Sequence, residues 1–201
     1  MQIKVKPMGP YATNCYIVNL GDKEIIIDPG VDALSWIKQN VKNPVAIFNT
    51  HGHFDHIWSN KEVSEFYDIP IYCPKDDAFM LEDDPFGYKV PPSKASYLVE
   101  PDEEVEVAGE KFKFWHFPGH TPGNSMIEYE DTLFSGDFLF EGSIGRWDFP
   151  YSSKEEMIKS LQKVKTFSDK DHLVLPGHGN STTLEKELKG IDDWINVVKY
   201  S

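Results

Sequence analysis

Nothing in this chain approaches the ~18 consecutive uncharged apolar residues of a membrane-spanning helix. Its opening residues, MQIKVKPMGP, lack the apolar stretch that a secretory leader needs. The expectation is a cytoplasmic protein with no membrane partner. Cysteine is almost missing: Cys15 and Cys73 stand alone, far apart in stretches that read as strands. That argues against a disulfide framework and makes both small buried apolar side chains. Basic charge is also short. The chain has 20 Lys and Arg against 33 Asp and Glu, a formal net charge of −13 with no basic cluster. Nucleic acid, which is gripped through its phosphates by Lys and Arg, is therefore not an expected partner. Short-period repeats and low-complexity tracts are absent too.

What is present suffices for one large core. With 201 residues, 40% hydrophobic and 13% aromatic, the chain is expected to form a single domain over residues 1–201. IKVKPMG and TNCYIVNLGDKEIIIDPG predict a strand and then a hairpin turned at Gly21 and Asp22. ALSWIKQN predicts a short helix capped by Asp32, and VAIFN a strand buried on both faces. IWSNKEVSEFY has helical spacing, and IPIYCP is a further strand. EEVEVAGEKFKFWHF and NSMIEYEDTLFSGD predict hairpins turned at Ala108–Gly109 and Glu130–Asp131. KEEMIKSLQKVKTF, after Ser152 and Ser153, is a capped helix, DHLVLP a buried strand, and the C-terminal segment helical. Residues 81–102, rich in Pro and Asp with Phe86, Tyr88 and Tyr97 interspersed, form a long excursion that suits a lid or an ordinary surface loop equally. Strands fall into an early and a late group, each with helices, which predicts two sheets between helical layers.

Histidine is scarce except in one place. Of 7 in the chain, His51, His53 and His56 fall in NTHGHFDHIW, with Asp55 among them. Imidazole and carboxylate are donors that zinc, iron(II) and manganese accept. Two apart on an extended end-of-strand segment, His51 and His53 project to one side and can hold one ion. Asp55 and His56 start the following helix, where the chain turns toward a second position, about 3.5–4 Å away in two-metal sites. Four donors do not complete two metals, which predicts more at other strand ends. His120 in FPGHTPGNS, Asp137 in LFSGDFLF and His178 in LVLPGHGNS meet that description. His116 is placed to support His120, and His172 is expected to be exposed. Tyr11, Phe54, Trp58, Phe140 and Trp147 are candidates to wall a pocket.

HGHFDH, with TNCYIV and IIIDPG upstream and PGHTPG, SGD and PGHG downstream, resembles the metallo-β-lactamase superfamily. The superfamily's pattern is H-x-H-x-D-H followed by separate His, Asp and His positions, and the likeness runs through nearly the whole chain. It implies an α/β (α+β) fold, a four-layer αββα sandwich with metals at one edge of its two sheets. Matched residue by residue, it implies two divalent metal ions, zinc first, with iron or manganese as alternatives. His51, His53 and His120 would bind one, Asp55, His56 and His178 the other, and Asp137 would bridge them. SGDFLFEGSIGRWDFP, through Gly142, Gly145, Arg146 and Asp148, is similar to glyoxalase II (hydroxyacylglutathione hydrolase) and its short stand-alone relatives. Full-length glyoxalase II carries a C-terminal helical domain that helps bind glutathione. Here only residues 179–201 follow His178, so no separate glutathione-binding domain is expected.

The resemblance implies a hydrolase of small-molecule thioesters, of the S-lactoylglutathione type, or of esters. Metal coordination lowers the pKa of water from 15.7 to about 7, which makes a nucleophilic Ser or Cys unnecessary. Asp55 is the candidate to orient that water and take its proton, and Arg146 the candidate to meet a substrate carboxylate. A thiolate, with a thiol pKa of about 8.5, leaves with little protonation. An amide needs a proton donor that the sequence does not display, which favours a thioester over a lactam. Two alternatives stand beside this reading. One is a lactonase or β-lactamase-type hydrolase on the same metals. The other is a single-iron persulfide dioxygenase, which the same motifs resemble with iron at His51, His120 and Asp137. Oligomeric state has no signature in the sequence.

Overall fold

The computed structural model describes residues 2–167 and 170–201. One six-stranded sheet runs in chain order through β1 (Gln2–Met8), β2 (Thr13–Asn19), β3 (Glu24–Ile27), β4 (Pro44–Phe48), β5 (Ile71–Pro74) and β6 (Tyr97–Val99). The second contains β7 (Glu104–Val107), β8 (Glu110–His116), β9 (Ser125–Tyr129), β10 (Thr132–Gly136), β13 (Leu173–Pro176) and β14 (Thr182–Thr183). Its spatial order is β14-β13-β10-β9-β8-β7. A separate ribbon pairs β11 (Leu139–Phe140) with β12 (Ser143–Ile144). Helices α1 (Ala33–Asn40), α2 (Phe54–Ile57), α3 (Asn60–Tyr67) and α4 (Ala78–Asp83) belong to the first half. Helices α5 (Lys154–Val164), α6 (Leu184–Leu188) and α7 (Ile191–Tyr200) belong to the second. This is the expected αββα sandwich.

Period-two alternation in strands buried on both faces builds it. Along β3, Ile25 and Ile27 enter the core between the sheets while Ile26 faces the helices; along β4, Ala46 and Phe48 point inward and Ile47 outward. In the second sheet Phe112, Phe114, Ile127 and Phe134 meet them from the other side. Met126, Leu133 and Val174 turn away to pack on Met157, Leu161 and Val164 of α5 and on Ile191 and Val198 of α7. Phe48 lies edge-on to Phe112 at 5.0 Å and to Phe114 at 5.3 Å, locking sheet to sheet. Deleting such a ring removes about 3–5 kcal/mol.

Strand direction then decides where the site falls. β3 runs parallel to β4, β4 to β5, and β10 to β13, so the chain leaves all of them at one edge. The loops after β3, β4, β5, β10 and β13 therefore gather there. The three hairpins form as expected, with Ala108 and Gly109 both at positive φ in the tight turn between β7 and β8. Ser153 caps α5 by accepting from the Glu156 amide.

Three expectations are corrected. Asp32 precedes α1 but does not cap it with its side chain; it sits at φ 62, and the Ala33 amide is met by the Gly30 carbonyl and Ser59 Oγ instead. Residues 81–102 are more than a loop, since they hold the end of α4 and the edge strand β6. His172 is buried, because Glu128 reaches its Nε2 at 3.1 Å and offers it a carboxylate under the sheet. Cys15 and Cys73 are free and buried. Among the described residues no helix is long and apolar enough to cross a membrane.

Candidate metal centre

His51, His53, Asp55 and His56 leave the end of β4 and enter α2; His120 follows β8, Asp137 follows β10 and His178 follows β13. The shared edge brings all seven together. Donor atoms of His51, His53 and His120 lie within 4.8 Å of one another, and so do those of Asp55, His56 and His178. Asp137 stands between the two groups. One of its carboxylate oxygens is 3.4 Å from Nε2 of both His120 and His178, and the other is 3.4 Å from His56 Nε2.

Four of the histidines are aimed in the same way, each held by its Nδ1 so that Nε2 faces the centre. His120 Nδ1 donates to the Arg146 carbonyl at 2.8 Å and His178 Nδ1 to the Tyr11 carbonyl at 3.0 Å. His56 Nδ1 donates to Asp28 Oδ2 at 2.9 Å. Thr50 Oγ1 gives its proton to the same Asp28 oxygen at 2.6 Å, so it must accept from His51 Nδ1 at 3.0 Å. One buried carboxylate thus fixes the tautomers of two histidines, the arrangement by which ligating imidazoles are oriented. Asp28 also falls within reach of His51 and His56 as a donor set. Its oxygens are already engaged by Thr50 and His56, so it supports the site and is not free to enter it.

The inward atoms fit a cation. His51 Nε2, His120 Nε2 and Asp137 Oδ1 are buried with no hydrogen-bond partner. His56 Nε2 and His178 Nε2 face each other at 3.3 Å, an arrangement two lone pairs tolerate only around positive charge. Local electrostatics make the same demand. Burial, reinforced by neighbouring imidazoles, lowers His51 and takes His53 to about 3, leaving them neutral with lone pairs available. Burial would also lower His178, but Asp137 and Asp55 outweigh it and push it to about 9. Burial would raise Asp55, yet His56 and His178 draw it down to about 2. In the protein alone, protons on one half thus supply the charge that ions would bring.

Close approach explains two glycines. A Cβ on Gly177 would lie 2.2 Å from Asp137 Oδ1 and 2.6 Å from His56 Cε1; one on Gly145 would lie 1.7 Å from the Asp137 carbonyl oxygen. Asp77, at the end of the short turn after β5, is fully buried. Its Oδ2 accepts from the Gly52 amide at 2.8 Å and Thr121 Oγ1 at 2.6 Å, and its Oδ1 from the Gly123 amide at 2.6 Å. It ties the loop of His51 and His53 to the loop of His120.

Above the donors opens a cavity of about 500 Å³, with His53, Asp55, His120, Asp137 and His178 in its floor. Tyr11 and Phe54 wall it as the sequence predicted, joined by Pro85, Phe86 and Tyr88 from the excursion and by Phe149. The excursion therefore borders the site. Trp58, Phe140 and Trp147 are not among its walls; Trp58 and Trp147 pack against the helix-side cores. The Arg146 guanidinium is exposed, paired with Asp148 at 2.7 and 2.8 Å and stacked over the outer wall at Phe149, and it does not line the cavity; what it gives the donor cluster is its carbonyl. His116 supports the His120 loop through the Pro122 carbonyl at 2.8 Å and does not contact the His120 ring.

An αββα frame with a His and Asp cluster at the common edge of both sheets is the arrangement of a metallo-hydrolase superfamily, and this chain belongs to it: the metallo-β-lactamase superfamily model matches residues 8–178. Hydroxyacylglutathione hydrolase GloC of Haemophilus influenzae is 32% identical over 94% of this chain and 96% of its own. Among solved structures, the BLEG-1 B3 metallo-β-lactamase superposes with a TM-score of 0.84 at 32% identity, covering 94% of this chain and 97% of that one. TTHA1623, in a di-iron-bound form, superposes at 0.77 with 31% identity over 92% and 96%.

Proposed function

We propose that this metallo-hydrolase is a binuclear thioester hydrolase of the glyoxalase II type, with S-lactoylglutathione as its reference substrate. The observation that carries the reading is the double cluster: two donor sets, each within 4.8 Å, share Asp137 and open into one cavity. His51, His53 and His120 would hold one ion, Asp55, His56 and His178 the other, with Asp137 shared. Divalent ions held there would supply Lewis acidity for an acyl oxygen and a water ionising near pH 7.

The chain's own residues provide the rest. Asp55 Oδ2 is fixed by Thr13 Oγ1 at 2.6 Å, and with its carboxyl held near 2 it remains an anion that can orient a water by accepting its hydrogen bond. Among the described residues no Ser, Cys, Lys or Arg lines the cavity, and its proton donors are the Tyr11 and Tyr88 hydroxyls and the histidines. A thiolate departs without help from any of them whereas an amide nitrogen must be protonated, so a thioester is the less demanding substrate. The GloC relative's name supports this assignment. The BLEG-1 likeness favours a second reading, lactam hydrolysis on the same residues.

The test is elemental analysis of purified protein alongside thiol release from S-lactoylglutathione and from simple thioesters. The expected result is two metals per chain, zinc first and iron or manganese as alternatives, with metal-dependent thiol release. One iron per chain with oxygen uptake and no thioester cleavage would overturn the reading, and turnover confined to β-lactams would install the second.

A further inference from the structure

The rim of this cavity is built for a ligand unlike glutathione. Three separate segments send aromatic rings to it: Tyr11 from the turn between β1 and β2, Phe86 and Tyr88 from the excursion after α4, and Phe149 from the loop before α5. Tyr88 stacks on Phe54 at 3.9 Å and 23°, and Tyr11 meets the same ring edge-on at 4.9 Å. Phe86 lies edge-on to His53 at 5.2 Å, and Phe149 reaches both His53 and His120 at about 6 Å. These rings are not spent on the core. Tyr11, Tyr88 and Phe149 remain 49%, 47% and 39% exposed, large apolar surface held open around a single mouth.

Charge points the same way. Glutathione carries two carboxylates, and binding them calls for cations. None of the residues lining the cavity is a Lys or Arg. The neighbouring Arg146 has its guanidinium on Asp148 and stacked 4.3 Å over Phe149, and the chain as a whole carries −13. An arm with two carboxylates and one ammonium would lose hydration here with only the Arg146 guanidinium nearby, already engaged by Asp148, whereas a flat neutral ring would find edges and faces on two sides. We infer that the enzyme selects thioesters whose non-reacting arm is neutral and aromatic, and that Tyr88 and Phe149 are specificity-determining residues. This rests on the thioester-hydrolase reading above.

The experiment holds the acyl group constant. S-lactoylglutathione, lactoyl benzyl thioester and lactoyl methyl thioester are compared with metal-loaded enzyme, with phenylacetyl methyl thioester placing the ring on the acyl side. The benzyl arm is expected to exceed the glutathione arm in kcat/KM by at least about tenfold, mostly through KM, the scale of burying one phenyl ring. Tyr88→Ala and Phe149→Ala should each lower the benzyl-to-methyl ratio about three- to tenfold. Calorimetry with dibenzyl sulfide, a neutral thioether that cannot be hydrolysed, reads the pocket without turnover; binding that weakens in both variants supports the inference. Lactoylglutathione hydrolysed as well as or better than the benzyl compound, with ratios unmoved in the variants, overturns the inference and leaves the hydrolase reading standing. No turnover of any thioester, with the thioether still bound, overturns the hydrolase reading instead.

Discussion

Replacing Asp77 by Asn separates its two roles. The carboxylate accepts three hydrogen bonds in a fully buried position, two from the backbone of histidine-bearing loops and one from Thr121. Asn keeps one acceptor oxygen but turns an amide N–H toward a donor, leaving a buried group unsatisfied at a cost of about 1–3 kcal/mol. The second role is titration. Burial outweighs those hydrogen bonds and raises the Asp77 carboxyl from 3.8 to about 6. Because the folded value lies above the unfolded one, the folded state holds the proton longer. The associated stability is complete below pH 3.8 and is lost as pH rises through about 6. At 1.36 kcal/mol per unit that loss is about 3 kcal/mol. Urea unfolding of chelator-treated wild type and Asp77→Asn between pH 3.5 and 7.5 should therefore show a wild-type advantage that falls by about 3 kcal/mol across this window, enough to close or reverse the gap present at low pH. Metal titrations at pH 7 should show affinity in the first donor set about tenfold weaker, since the scaffold of His51, His53 and His120 has loosened. A gap that is flat with pH would refute the titration argument. Unchanged metal affinity would refute the positioning argument.

Gly177→Ala pushes a methyl into Asp137 and His56; displacement on this scale at reacting groups costs about a hundredfold in turnover, and metal content should fall from two ions toward one. Asp28→Ala leaves His56 Nδ1 and Thr50 without their buried acceptor; calorimetric unfolding should show a loss of about 3–5 kcal/mol, with Asp28→Asn milder. Adding zinc to chelated protein should raise Tm, because an ion bound only by the native state adds about 2.7 kcal/mol at a hundred times its Kd. An unchanged Tm would mean that the inward donors hold no ion.

The seven clustered residues were legible in the sequence for a topological reason. An apolar run too short for a helix marks a buried strand, and when such strands run parallel their exits share an edge. A His or Asp just past each such run therefore converges with the others; His120 arrives differently, since β8 pairs only antiparallel and reaches the same edge by alternating direction through β9 with β10. Asp28, at the end of IIID, obeys the same rule as Asp137 at the end of LFSGD; only the absence of a nearby histidine hid it. The rule finds residues at the edge but does not sort ligand from support, because sorting depends on which atoms already have partners. Asp137 keeps an unpartnered oxygen, whereas those of Asp28 are committed to Thr50 and His56. Asp77 gave no such sign, since it sits within KDD on a turn whose carboxylate finds its donors across two other loops.

Backbone roles are the least visible. Arg146 drew notice for its guanidinium, yet the site takes its carbonyl, as it takes that of Tyr11, and any residue offers a carbonyl. This has a consequence for reading relatives. A substitution at either position that preserves the loop's path leaves His120 and His178 aimed as they are here. One that alters the path moves those two imidazoles with no change in the H-x-H-x-D-H pattern. Variation in metal content among chains with identical motifs should therefore track loop conformation around residues 9–12 and 145–149, where the imidazole Nδ1 acceptors and two of the aromatic walls reside together. Metal placement and substrate arm are thus coupled through the same two loops, so exchanging these loops should shift metal occupancy and thioester preference together.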